Sequence, residues 1–363
     1  GWGASGRSGG QALVGYASGQ AKLVAAVGRD NARKLWDISV ESLDLLRELV
    51  ERHQIDCDLH WGALHVAIKN RQREELFAEQ HDMREQYGYS RLRVLERPQV
   101  EALLHTQRYC AGLYDEGSGH LHPLNYTLGL ARAASEAGVQ IFEQSRVTGL
   151  QQGARVALTT DTGTVTTKFV ALCCNAYIGD LSSHLRGRIM PVGTYIIATE
   201  PLGEERINQL VRKNIAVSDS NFVLDYFRRS ADHRLLFGGR VSYSGRDAFN
   251  TARATRKRML TVFPQLADVK IDYAWGGFVD ITMNRAPDFG RLAPNVYYLQ
   301  GFSGHGIALT GIAGKIVAEA IAGQAERFDL FARIRHRNFP GGRLLRMPSL
   351  VLAMLWYRMR DWL

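Results

Sequence analysis

The stretch Val296-Tyr297-Tyr298-Leu299-Gln300-Gly301-Phe302-Ser303-Gly304-His305-Gly306, with the apolar run from Ile307 to Gly323 behind it, decides how the chain is read. Its first five residues form a short strand of the buried kind. The glycines then let the backbone turn sharply and come close to a ligand. The run from Ile307 is long enough for several turns of helix. A helix that starts on such a turn presents unpaired N–H groups and a partial positive charge. That end stabilises an anion, or a ring that becomes anionic on reduction. A plain strand-to-helix turn is the alternative, but Gly301, Gly304, Gly306 and Gly311 exceed what it needs. His305 sits at the helix start, where the dipole disfavours imidazolium, so a neutral ring facing a ligand is expected.

The second glycine cluster opens the chain. Gly1-Trp2-Gly3-Ala4-Ser5-Gly6 matches G-x-G-x-x-G literally. The dinucleotide fingerprint requires a strand before it, a helix after it and an acid about 20 residues on. Here Arg7-Ser8-Gly9-Gly10-Gln11 is too glycine-rich to continue a helix, and Ala25 and Ala26 stand where the acid is needed. The segment reads better as a Gly/Ser loop whose bare amides approach a phosphate or a flat ring. A chain opening on Gly1 rather than Met leads to the expectation of a further piece upstream. The central expectation is that the two glycine clusters meet in space around one extended redox cofactor.

Between them, apolar spacing predicts a helix over 31–54, capped by Asp30 or Asn31, and a half-buried strand over 62–68. A solvated helix is expected at 70–87, and another from Pro123 to Gly138, with Pro in its first turn and Gly past its end. Val139-Gln140-Ile141-Phe142-Glu143 reads as a strand, and 147–150, 155–159 and 164–167 as a small meander. Phe169 to Cys174 is apolar throughout and reads as a strand buried on both faces. Further strands fall at 192–199, 222–227, 234–238 and 271–279, with a hairpin turn at Ser230 to His233. A helix over 247–263 is closed by Pro264. The mixture implies an α/β lobe and an antiparallel lobe that exchange chain several times.

Composition bounds the function. The 363 residues are 45% hydrophobic and 22% charged, an ordinary globular balance. No run approaches the roughly 18 apolar residues of a membrane span. Net charge is 45 − 36 = +9, and the seven arginines and one aspartate of residues 331–363 account for most of it. The body is therefore nearly balanced, and nucleic acid is not an expected partner. Cys57, Cys110, Cys173 and Cys174 form no C-x-x-C pair and read as small buried thiols of a reduced, cytoplasmic chain without a signal peptide. His120-Leu121-His122-Pro123 has H-x-H spacing but little acidic or thiol support, so a helix entry is preferred to a metal site. There is no P-loop or H-E-x-x-H. The polar run Asp280 to Gly290, with Arg285, follows a strand and can line a site. Leu350 to Tyr357 is apolar between Arg346 and Arg358, and reads as an amphipathic helix docking on its own domain, with a membrane surface as the alternative.

Five motifs in order carry a resemblance along nearly the whole chain. Gly3-Ala4-Ser5-Gly6-Arg7-Ser8-Gly9-Gly10-Gln11, Gly119-His120-Leu121-His122-Pro123, Cys174-Asn175-Ala176-Tyr177, Leu236-Phe237-Gly238-Gly239-Arg240 and Gly301 to Gly306 resemble FAD-dependent oxidoreductases of the D-amino-acid oxidase superfamily. The tail Phe339-Pro340-Gly341-Gly342 does so too. The γ-glutamylputrescine oxidoreductase-like branch is the nearest in pattern, with Ser8 standing where Asn is expected. The resemblance implies a mixed α/β fold: a glutathione-reductase-like FAD domain interleaved with an antiparallel-sheet substrate domain, the family's first βαβ unit lying upstream of Gly1. Residues 1–60, 117–190 and 286–330 would form the FAD domain, 61–116 and 191–285 the substrate domain, and 331–363 a basic tail.

The same resemblance implies the chemistry. An amine (γ-glutamylputrescine-like, polyamine or amino acid) would lose a hydride to FAD. The imine would hydrolyse, and oxygen or another acceptor would reoxidise the cofactor. Ser5, Arg7, Ser8, Gly9, Gly10 and Gln11 would line the flavin and pyrophosphate, Val147 the adenine, and Asn175 and Ala176 the cleft. Gly304, His305 and Gly306 would face the reducible ring. Arg240 and Arg285, with His305, are the catalytic candidates; no metal is implied. A nicotinamide-dependent dehydrogenase and a non-catalytic chain are the competing readings.

Overall fold

A computed structural model describes the backbone of residues 1–221, 224–242, 248–341 and 348, with side chains at 240–242 and 248–250 outside the description. Leu350 to Tyr357 therefore lies outside the described residues.

Nine strands form the largest sheet. Across it run Gln11–Ala12, Ala111–His120, His60–Ala67, Ala216–Asp219, Tyr226–Arg229, Leu235–Ser242, Ile189–Thr199 and Ile271–Thr282, with Leu92–Glu96 pairing on Ala111–His120. Every pairing is antiparallel except that of Ala216–Asp219 with His60–Ala67. Neighbouring residues of a strand face opposite sides, so this register sorts them. Leu64, Val217, Phe227, Phe237 and Ile197 fall on one face and pack with Phe263 and Met259 of the helical layer. Phe227 and Phe263 meet edge to face at 5.1 Å. Full burial of such a ring contributes about 1.5–3 kcal/mol. His65, Ser218 and Tyr226 fall on the other face, which is the face the site uses.

A second core gathers the helices Arg29–Arg52, Gly306–Ile321 and Glu326–Ala332 against the hairpin Asp288–Ala293 and Val296–Gln300. Leu35, Ile38, Leu43 and Leu46 of the first helix point inward, as the spacing requires. The helix starts at Arg29, with Gly28 at the cap position and Asp30 already in the first turn, two residues before the expected start. His122 caps Pro123–Glu136 by accepting the Asn125 N–H at 3.2 Å, so the H-x-H stretch does form a helix entry. The helix Ala248–Val262 stops before the turn Pro264–Leu266.

Three expectations are corrected. Residues 139–143 form no strand: Val139, Ile141 and Phe142 are exposed in an irregular segment, because no described strand lies alongside to accept their backbone hydrogen bonds. The strand Val170–Leu172 is buried on one face only, with Ala171 exposed, since its described neighbours cover a single side. Cys173 continues that exposed face, so only Cys57 and Cys110 are fully buried thiols. The meander Val147–Gln151, Val156–Thr160 and Thr164–Thr167 forms as expected. Among the described residues no single helix is long and apolar enough to cross a membrane.

Candidate active site

The strand Ile271–Thr282 is the spine of the site, because both glycine clusters are fastened to it. Near its middle, the Trp275 indole N–H donates to the Arg7 carbonyl at 2.9 Å, and the Arg7 guanidinium donates to the Gly276 carbonyl at 3.3 Å. Near its end, the Asp280 carboxylate accepts the Gly301 N–H, and the Ser303 N–H donates to the Asp280 carbonyl at 3.0 Å. The turn Asn175–Tyr177 ties the two ends together. The Asn175 side-chain amide, with its nitrogen turned toward Asp280, donates to that carboxylate. Two residues on, the Tyr177 ring stacks at a tilt on Trp2, 5.3 Å between centroids. The two clusters are thus anchored on one strand.

The opening loop needs its glycines for close packing. Ala4–Arg7 is one helical turn, and Gln11–Ala12 is extended and paired with the end of Ala111–His120. A strand rather than a helix follows the G-x-G-x-x-G match, so the nicotinamide fingerprint is not formed. Gly10 has φ +78° and a Cβ there would stand 2.0 Å from the Leu121 carbonyl oxygen; at Gly9 it would stand 2.6 Å from the Tyr226 ring. Arg228, buried beneath, donates to the Gly9 carbonyl at 2.7 Å. Gln11 crosses the sheet and donates from its side-chain amide to the Val217 carbonyl at 3.0 Å. Ser5 is exposed along this loop, and Arg7 and Ser8 are half-buried.

The second turn leaves room at Gly304. Gly304 has φ +95°, and a Cβ there would meet nothing within 4 Å. His305 takes the cap position of Gly306–Ile321 without capping it through its side chain. Asp280 is buried, and burial pushes its carboxyl up to about 6 against the hydrogen bonds it accepts. The His305 ring is pushed down to about 4, first by burial and then by the charges of Arg285 and His65. The neutral ring expected from the helix dipole is present, but desolvation is its main cause. Arg285 sits at φ +61°, on the turn that follows the 271–282 strand.

Near His305 the sheet face contributes a group the sequence reading missed, His65. His65 Nδ1 lies 3.0 Å from the Ser218 hydroxyl and Nε2 lies 3.2 Å from the Ser220 hydroxyl. Burial holds the ring neutral, at about 4. These partners are 153 and 155 residues away in sequence, and only the parallel pairing of two strands brings them together. Of the expected site residues, Arg7 and Asn175 are bonded to the 271–282 strand, Gly9 packs on Tyr226 and Gln11 reaches the Val217 carbonyl, while Gly304, His305 and Gly306 follow the Gly301 turn into the helix. Val147 lies on the meander, pairing with Thr160. Arg240 lies opposite Tyr195 in the sheet, its side chain outside the described ones. Asp280 was visible only as the first residue of a polar run; nothing local marked it as the fastener of both turns.

Comparison with known proteins finds similarity along most of the chain. The family described as FAD dependent oxidoreductase (DAO) matches residues 1–320. The chain is 42% identical to γ-glutamylputrescine oxidoreductase of Escherichia coli over 362 residues, 99% of this chain and 85% of that protein. It is also 42% identical to a probable oxidoreductase, OrdL, of Haemophilus influenzae, covering 99% of this chain and 84% of that one. Among solved structures, glycine oxidase from Geobacillus kaustophilus superposes with a TM-score of 0.76 at 20% identity, over 93% of this chain and 90% of the other. At that identity the likeness concerns the fold.

Proposed function

This chain belongs to the DAO family of FAD-dependent oxidoreductases, and from that premise we propose that it oxidises an amine of the γ-glutamylputrescine type at the carbon bearing nitrogen. The observation that carries the reading is the meeting of the two glycine turns on one strand, with a helix start beside the second that no side chain caps. The 42% identity to γ-glutamylputrescine oxidoreductase supports the substrate class. On this reading residues 1–60, 117–190 and 286–330 make the flavin lobe, and 61–116 and 191–285 the substrate lobe.

The residues present fit FAD. The open space at Gly304 and the uncapped first turn of Gly306–Ile321 leave donors and room for a flat ring whose reduced form is anionic. Ser5, Arg7, Ser8, Gly9, Gly10 and Gln11 would hold its flavin and pyrophosphate side, and Asn175 and Ala176 would close the cleft. Val147 would stand at the adenine. When bound, FAD supplies the two-electron oxidation of the carbon–nitrogen bond. The chain supplies the rest. His305 and His65 are both neutral at pH 7 and add no cation against a substrate ammonium. Arg285 brings a fixed positive charge to the same side, suited to a substrate carboxylate or to the acceptor side. Arg240 is a second candidate for that role.

The test is spectroscopic. The protein reconstituted with FAD is expected to be yellow, and to bleach anaerobically with γ-glutamylputrescine. Aldehyde would then appear as the imine hydrolyses, and peroxide would identify oxygen as the acceptor. A protein that takes up no FAD, or a flavin that stays oxidised in excess amine, refutes the proposal.

A further inference from the structure

We propose that Ser218, locked by His65, is the hydrogen-bond acceptor that orients the substrate N–H in the groove, and so is a specificity-determining residue. The proposal rests on the amine reading above and deepens it. It follows from counting protons. The Ser220 hydroxyl donates its only proton to the Val66 carbonyl at 2.9 Å. Toward His65 Nε2, 3.2 Å away, Ser220 therefore accepts, and Nε2 carries the ring proton. A neutral imidazole has one N–H, so Nδ1 is bare and accepts. The Ser218 hydroxyl, 3.0 Å from Nδ1, must donate to it.

That leaves Ser218 Oγ with its proton committed and its lone pairs free to accept. Ser218 is half-buried and lies beside Tyr226 on the groove face. Its neighbour Val217 is held by Gln11 of the opening loop, so the hydroxyl stands where the expected flavin segment crosses the sheet. An acceptor locked in this way suits an amine, whose N–H donates. The couple orients the amine and does not deprotonate it. Burial keeps His65 at about 4, so it is protonated in roughly one molecule in a thousand at pH 7.

Two measurements test this on the full-length protein. The first is 15N NMR of the imidazoles without added FAD or substrate, with the His65 signals assigned by their loss in His65→Gln. Wild type is expected to show Nε2 protonated and Nδ1 as a hydrogen-bonded acceptor, and Ser218→Ala to weaken the Nδ1 bond. The second is steady-state kinetics with γ-glutamylputrescine on the FAD-loaded protein. Ser218→Ala is expected to raise KM about tenfold, with Ser218→Thr, which keeps the hydroxyl, within about twofold of wild type. An Nδ1-protonated His65, or a Ser218→Ala KM equal to wild type, overturns the proposal. A wild-type flavin left oxidised by γ-glutamylputrescine removes the amine reading itself, and this assignment of Ser218 with it, whatever the nitrogen shifts show.

Discussion

Asp280 offers the sharpest test of how the site is held together. Its carboxylate is almost fully buried, and it accepts from the Gly301 N–H and the Asn175 amide. Burial outweighs those bonds and raises its pKa to about 6. A rise of about two units corresponds to roughly 3 kcal/mol of preference for the neutral carboxyl in the folded chain. The sign follows from linkage. Below pH about 4 both folded and unfolded states are protonated, and there is no penalty. Between about 4 and 6 the unfolded chain ionises first, so the folded state loses ground as pH rises. Above about 6 the full penalty is present. Asp280→Asn keeps an oxygen to accept the Gly301 N–H and cannot ionise, while Asn175 turns its own oxygen toward the new amide. Its stability relative to wild type should therefore climb from near zero at pH 4 to about 3 kcal/mol at pH 7. Urea unfolding of both chains at pH 4, 5.5 and 7, without added flavin, measures the difference. A gap that stays flat, or that widens toward acid, would show that desolvation does not dominate at this carboxylate.

Glycine positions give a contrasting set. Gly10→Ala places a methyl 2.0 Å from the Leu121 carbonyl at φ +78° and should cost about 2 kcal/mol or more, read as a lowered urea midpoint. Gly19→Ala has a similar φ of +74° but open space around it, so it should cost only about 1 kcal/mol, of backbone strain alone. Gly304→Ala, also open, should leave folding within about 1–2 kcal/mol of wild type while lowering FAD affinity, measured by flavin fluorescence quenching. With the His305 pKa at about 4, His305→Gln should leave the shape of the kcat/KM pH profile between pH 5.5 and 8 unchanged even if the rate falls; loss of an ionisation in that window would contradict a neutral His305.

Local chemistry in the sequence was sufficient for much of the architecture. The helix at 70–87 follows its predicted limits, Asn70–Tyr87, and the strand, glycine turn and helix at 296–321 are encoded by apolar runs punctuated by residues that tolerate positive φ. Such signals report the dihedral preferences of a few consecutive residues, and they hold wherever the element is placed. The stretch 139–143 shows the limit: it has strand composition, yet without an adjacent described strand its apolar side chains stand exposed. Strand propensity is fulfilled only by a partner.

What only the tertiary structure decided is which faces meet. His65 and Ser218 lie 153 residues apart, and their contact depends on two strands pairing in parallel in one register. A slip of one residue between these strands would put the two side chains on opposite faces of the sheet. Asp280 and Gly301 are likewise joined by a fold, not by a motif. The sequence determined that two glycine turns and a helix start would exist. The fold's long-range pairing determined that they meet on one strand, because proximity between distant segments is set by their pairing and leaves no trace in either segment alone.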